Sequence, residues 1–141
     1  MGYSIFVIAK DENQRDEIHK ILANVYNPAK FKCLEFCSSR LTNDPAYGPH
    51  DKPIVGFDYS SGINEPERTY IYILLDAICK KFGMTEFHYD DDLLEASDPY
   101  REINFPFSKN KMCNKILKKV FGISKKDLKK IRDDVDKIMN S

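Results

Sequence analysis

Residues 64–83 have the sequence NEPERTYIYILLDAICKKFG, and this stretch decides the fold. Asn64 is a residue type favoured at a helix N-cap, and Glu67 follows three positions later, as in a capping box. Gly83 is of the residue type that commonly follows the last residue of a helix, so it predicts the C-terminal end. Apolar residues recur between these signals at helical spacing: Tyr70, Ile71, Ile73, Leu74, Ala77 and Ile78. The stripe is wide, so we predict that a helix from Glu65 to Phe82 lies at the centre of the core.

Runs of β-branched and aromatic residues on either side of this helix predict short strands. The predicted strands cover residues 3–9, 31–36, 54–59 and 85–90. Gly56 lies inside the third of them and indicates a bulge or a close approach of the backbone. Residues 38–53 are rich in Ser, Asn, Pro and Gly, so we predict a loop there.

Capping signals predict three more helices. Asp11 with Gln14 precedes a helical pattern that ends near Asn27, while Ser108 and Ser124 begin two C-terminal helices separated by Gly122. The order β-α-β-β-α-β-α-α is typical of the α+β class, with mixed α/β layers. We expect a small sheet of about four strands packed on two helices, followed by a helical hairpin. A chain of 141 residues fits a single domain (1–141), with an α/β core over 1–105 and the hairpin over 106–141 packed on it.

Charge is segregated along the chain, although 22 basic and 22 acidic residues balance overall. Residues 40–102 carry 6 basic and 13 acidic residues, a net charge of −7. Residues 103–141 carry 11 basic and 4 acidic residues, a net charge of +7. An asymmetry of this size favours a charged partner for one segment or the other.

Cofactor, redox and membrane functions receive no support from the sequence. The four cysteines, Cys33, Cys37, Cys79 and Cys113, do not have the spacing of a zinc, haem or redox motif, which favours free thiols in a reducing compartment. The apolar runs are too short to span a bilayer. We therefore expect a cytoplasmic protein without a cofactor or metal.

The acidic segment contains the first candidate site, a face that binds a basic protein partner. Acidic residues would steer such a partner, and interleaved aromatic residues would anchor it. The predicted partner-binding residues are Asp58, Tyr59, Glu86, His88, Asp90, Asp91, Asp92 and Glu95. A catalytic or metal-binding role for His88 beside these carboxylates is an alternative, but no HExxH or similar spacing accompanies it. A solvated acidic strand end without a partner is the plainest alternative.

Two stretches resemble small bacterial immunity proteins that neutralise delivered toxins. They are Pro53-Ile54-Val55-Gly56-Phe57-Asp58-Tyr59 and Glu67-Arg68-Thr69-Tyr70. The resemblance implies a non-enzymatic inhibitor that binds one cognate toxin. Inhibitors of basic toxins and nucleases often present an acidic face, so this function is our leading hypothesis.

The C-terminal hairpin provides an alternative function, nucleic-acid binding, because residues 116–128 resemble a helix-turn-helix centred on Gly122. Phosphate contacts would come from lysines on the two helices: Lys118, Lys119, Lys125, Lys126, Lys129 and Lys130. Two features oppose it. Lys118 stands where the motif needs a small residue, and acidic residues at 133, 134 and 136 would repel phosphate. A purely structural hairpin is the remaining alternative.

Overall fold

A computed structural model describes residues 2–27, 36, 38–42, 52–60, 62–83, 87–90 and 122–140. Its strands are β1 (Gly2–Ile8), β2 (Ser39–Thr42), β3 (Ile54–Ser60) and β4 (Phe87–Asp90). Its α-helices in these ranges are α1 (Glu12–Ala23), α2 (Glu65–Phe82) and α3 (Lys125–Met139), with a 3₁₀ turn at Asn24–Tyr26. The α+β class is confirmed. None of these three helices is long and apolar enough to cross a membrane.

The strands form an antiparallel sheet in the order β2-β3-β1-β4. The strands predicted around β1, β3 and β4 are confirmed. The predicted loop over 38–53 is wrong for β2, because Ser39–Thr42 pairs with β3 and places Leu41 beside the core. Backbone pairing and burial outweigh the turn preference of these residues. The strand predicted over 31–36 lies outside the described residues except for Phe36, which is not in a strand.

Helix α2 is buried on all sides along its middle, as its wide apolar stripe predicts. Every residue from Glu67 to Asp76 is buried. The Glu67 backbone N–H donates to Asn64 Oδ1 at 2.8 Å, so the predicted cap is present. Gly83 ends the helix in the left-handed conformation, with φ at 64°. Since the sheet covers one side of α2 and α3 covers another, α2 is the middle layer of the fold.

Helices α1 and α3 close the core through the apolar faces expected from their spacing. In α1, Gln14 N–H donates to Asp11 Oδ1 at 2.8 Å, and Ile18 and Leu22 are buried. In α3, Asp127 N–H donates to Ser124 Oγ at 3.1 Å. Its inward face joins the same core as α2, through Leu128, Ile131, Val135 and Ile138. The helix predicted before α3, which would complete the hairpin, lies outside the described residues.

Gly56 lies at a close approach between β3 and β1. It pairs with Phe6 across the two strands. A Cβ at position 56 would overlap the Ile5 carbonyl oxygen and the Cα and Cβ atoms of Phe6. The close backbone approach predicted at Gly56 is therefore confirmed, and this contact admits only glycine.

We expect Gly56→Ala to lower the free energy of unfolding by about 3 kcal/mol, because the strands must separate to accommodate the methyl group. Gly62→Ala is the matched control, since a Cβ there meets only Ser60 Oγ at 3.8 Å. Urea unfolding followed by circular dichroism measures both variants. Equal midpoints for the two would contradict the proposed contact.

Candidate partner-binding face

One row of residues crosses the sheet and contains two of the predicted partner-binding residues. Ser4 of β1 pairs with Asp58 of β3 on one side and with Asp90 of β4 on the other. Arg40 of β2 pairs with Asp58. Neighbouring strands lie about 4.8 Å apart, so the backbones of Asp58 and Asp90, on either side of β1, lie roughly 10 Å from each other. We call Arg40, Asp58, Ser4 and Asp90 the Asp58 row.

The Asp58 row lies at the boundary between a covered and an open part of the outer sheet face. Phe6, two residues along from Ser4, is 1% exposed, and its partner Gly56 is buried. Ser4 and Asp58 are only half-buried. Residues two apart on a strand face the same way, so the outer face changes from apolar and covered to polar and accessible at this row.

Asp58 has a cationic neighbour within its own sheet. Arg40 Nε lies 3.8 Å from Asp58 Oδ2. The Arg40 side chain is 79% exposed, whereas the Asp58 side chain is 19% exposed. The Asp58 carboxylate is thus largely covered by the protein, while most of the Arg40 side chain is in contact with solvent. An ion pair of this length and exposure contributes little to stability.

Glu67 of α2 fixes the strand that carries Arg40. Its side chain is fully buried, and Oε1 accepts from Ser38 N–H at 3.2 Å, Ser39 N–H at 3.0 Å and Ser39 Oγ–H at 2.6 Å. Ser60 N–H donates to the Ser38 carbonyl, so the sheet holds Ser38 from its other side. Glu67 therefore satisfies donors at the start of β2 and helps to set the position of this strand, which is the outermost strand of the sheet within the described residues.

Tyr26 completes the surroundings of Glu67. Its hydroxyl hydrogen-bonds to Ser39, and its ring packs edge-on against Phe36 with centroids 5.4 Å apart. Burial raises the pKa of Tyr26 to about 12, and the negative charge of Glu67 acts in the same direction, against the Ser39 hydrogen bond. The sequence identified Glu67 as part of a capping signal and of a stretch that resembles immunity proteins, but not as a partner of β2. Its role at β2 depends on a contact between residues 28 positions apart, which the local pattern does not contain.

Tyr59 was predicted as a surface anchor, and the structure corrects this. It is 3% exposed, and its hydroxyl lies 3.3 Å from the Tyr72 hydroxyl in the core, with a further hydrogen bond to Arg68. Burial, followed by the neighbouring Tyr72, raises the pKa of Tyr59 well above its usual value. Adjacent strand residues face opposite sides of a sheet, so Tyr59 cannot share the surface of Asp58.

For two of the other predicted partner-binding residues the structure describes the strand pairing, and the remaining four lie outside the described residues. In β4, His88 pairs with Phe6 and Asp90 with Ser4. Four residues lie outside the described ranges: Glu86, Asp91, Asp92 and Glu95. Among the residues that the structure describes, no group of three or more His, Cys, Asp or Glu side chains is arranged to hold a metal ion.

The lysines of the alternative site lie on the solvent side of α3 where they are described. Lys125, Lys126, Lys129 and Lys130 are all exposed. Lys129 Nζ lies 2.9 Å from Asp133 Oδ2, and this hydrogen bond raises the pKa of Lys129. Asp134, expected to repel phosphate, is 5% exposed, and burial raises its pKa. Lys118 and Lys119 lie outside the described residues.

No protein-family model, curated protein or solved structure matches this chain. The chemistry of the Asp58 row is therefore inferred from its own residues and their geometry.

We expect Glu67→Ala to lower the free energy of unfolding by about 3 kcal/mol, because it leaves three donors at the start of β2 without their acceptor. Glu67→Gln retains one acceptor oxygen and should cost clearly less. Glu12→Ala, at an exposed position in the first turn of α1, is the control and should change stability little. Equal losses for Glu67→Ala and Glu12→Ala in urea unfolding would contradict the role of Glu67.

We expect the protein to lose stability as the pH rises above about 10, where tyrosines ionise in the unfolded chain. The raised pKa of Tyr59 keeps its hydroxyl protonated in the folded state, so the unfolded state alone loses this proton. The stability associated with Tyr59 is thus fully present below pH 10 and declines by about 1.4 kcal/mol per pH unit above it. Urea unfolding between about pH 9 and pH 11.5 measures the slope, which Tyr59→Phe should reduce. An unchanged slope in this variant would contradict the prediction.

Proposed function

We propose that this chain is a non-enzymatic, immunity-type inhibitor that neutralises a basic toxin or nuclease by covering its cationic site with an acidic face. The observation that carries the proposal is Asp58, a half-buried carboxylate fixed on β3 within the segment of net charge −7. The proposed face continues through Asp90 of β4 to the acidic residues near it in the sequence. Its further members are Glu86, His88, Asp91, Asp92 and Glu95. Such a protein would act in the cytoplasm, without a cofactor.

A carboxylate on a rigid strand is well suited to this function. Asp58 loses little conformational freedom on binding, because its backbone pairs with both Ser4 and Arg40. Partial burial strengthens its attraction for a cation compared with a fully solvated carboxylate. The surrounding negative charge would raise the rate of encounter with a basic protein.

The residues that resemble immunity proteins coincide with this part of the fold. Residues 53–59 include most of β3 and carry Asp58, while residues 67–70 lie in the first turns of α2 and begin with Glu67. Both stretches therefore contribute to the Asp58 row, one directly and one through β2. This coincidence supports the proposal.

The test begins with capture of a binding protein from the native cell by the tagged chain, followed by its identification and purification. We expect a basic protein whose association with this chain slows by about 3- to 10-fold in Asp58→Asn at about 50 mM salt, and by less at about 300 mM. Surface plasmon resonance measures these rates. Asp16→Asn is the matched control, because Asp16 is an exposed carboxylate beside Arg15 on α1.

Recovery of no basic protein from the native cell would contradict the proposed function. So would equal association rates for Asp58→Asn and Asp16→Asn, since the binding would then depend on overall charge rather than on the Asp58 row.

Nucleic-acid binding by α3 and the predicted hairpin is the second candidate. It is supported by the four exposed lysines of α3 and by a groove along this helix in which four basic residues outnumber two acidic ones. The charged residues of the lining are Lys125, Lys126, Lys129, Arg132, Asp133 and Asp136. A gel shift with a short DNA duplex at low and moderate salt tests it. Retardation that is lost in the Lys126→Gln, Lys130→Gln double variant would favour this candidate over inhibition. No retardation at micromolar protein would remove it.

A further inference from the structure

We propose that the exposed face of α3 binds the same face of a second copy of this chain, so that the protein forms a symmetric dimer with the two α3 helices antiparallel. Four charged residues that line the groove along α3 define this face: Lys126, Lys129, Asp133 and Asp136. We call them the α3 seam. Helix α2 lies between α3 and the sheet, so the inference goes beyond the proposed function of the Asp58 row.

The α3 seam lies on one side of the helix and faces solvent. Its members are separated by three, four and three positions, and an α-helix has 3.6 residues per turn, so successive members return to the same side. All four are exposed. The opposite side of α3 is buried in the core through Ile131, Val135 and Ile138. The seam therefore presents about 15 Å of helix to a partner.

The order of charges along the α3 seam makes it complementary to itself. Two basic residues come first and two acidic residues follow. An antiparallel copy centred on position 131 places Lys126 opposite Asp136. The same arrangement places Lys129 opposite Asp133, and two-fold symmetry forms each pair twice. A parallel copy would place like charges opposite each other, so the charges select the antiparallel orientation.

The stability of α3 itself does not account for the charges at the two ends of the seam. The helix dipole favours acidic residues in the first turn and basic residues in the last, whereas Lys126 lies in the first turn and Asp136 in the last. Neither residue takes part in an ion pair among the described residues. Each copy therefore offers one unpaired lysine and one unpaired aspartate to the other.

The middle of the seam adds a network of alternating charges. Lys129 Nζ lies 2.9 Å from Asp133 Oδ2, and the two side chains are 78% and 56% exposed. In the dimer, each of these charges keeps its partner on the same helix and gains the opposite charge of the other copy. Exposed ion pairs contribute more in a network than alone.

The expected dimer is weak. A single face of a 15-residue helix is a small interface, and Lys125 and Lys130 flank the seam with further positive charge. The chain as a whole is neutral, with 22 basic and 22 acidic residues, so two copies do not repel each other through net charge.

Sedimentation equilibrium at about 50 to 500 µM protein, in about 20 mM and 300 mM salt, tests the inference. We expect a monomer–dimer equilibrium that weakens as salt is added. Lys126→Glu and Asp136→Lys each place like charges opposite each other, and each should weaken dimerisation by about tenfold. An equimolar mixture of these two variants should dimerise again, because each supplies the charge that the other lacks.

Both substitutions introduce a charge that the helix dipole favours at that end of α3, so the variants should fold, and thermal unfolding checks this. Lys20→Glu and Glu17→Lys are the matched controls, because they reverse exposed charges on α1 in the same two senses. The controls should dimerise as the native chain does.

Three results would overturn the inference. They are a native chain that remains monomeric at both salt concentrations, a mixture of the two seam variants that remains monomeric, and an equal loss of dimerisation in the α1 controls. A monomeric chain that retards DNA would leave the groove along α3 to nucleic acid. None of these results depends on a captured basic protein, so the proposed function is tested separately.

Discussion

A single buried carboxylate connects the central helix to the edge of the sheet. Glu67 lies in the first turn of α2, and one of its oxygens accepts three hydrogen bonds from Ser38 and Ser39. Strand β2 is only four residues long and pairs with β3 on one side. Among the described residues, the Glu67 carboxylate gives this short strand a second point of attachment besides its pairing with β3. The position of Arg40, and with it the immediate environment of Asp58, therefore depends on a residue in another layer of the fold.

Local sequence signals predicted the helices well because each signal corresponds to a contact made within a few residues. Asn64 and Ser124 both accept the backbone hydrogen bond that their cap positions require. Gly56 and Gly83 likewise have the structural roles expected of them, a close strand approach and a left-handed helix end. In each case, the backbone requirement selects the residue type directly.

The sequence was less informative wherever a residue's role depends on a distant partner. Turn-forming residues over 38–53 predicted a loop and not β2, because the pairing of β2 with β3 and its contact with Glu67 are both non-local. The charge pattern drew attention to Asp58, which lies half-buried on β3, but it also included Tyr59, which faces the core. The charge pattern sums residues along the chain, whereas successive side chains of a strand point to opposite faces of the sheet. A continuous acidic segment therefore does not define one surface.

The place of β1 within the sheet has a consequence for how the chain reaches its native state. This strand lies between β3 and β4, so both of its neighbours come later in the sequence, and Ile8 meets its partner Ile54 across 46 positions. During synthesis, β1 must wait for most of the sheet to emerge before it can pair. Its apolar side chains need shielding in that interval, and closure of such long loops slows folding. The pairing of β1 with β3 and β4 therefore completes the sheet only after both of these later strands have been synthesised.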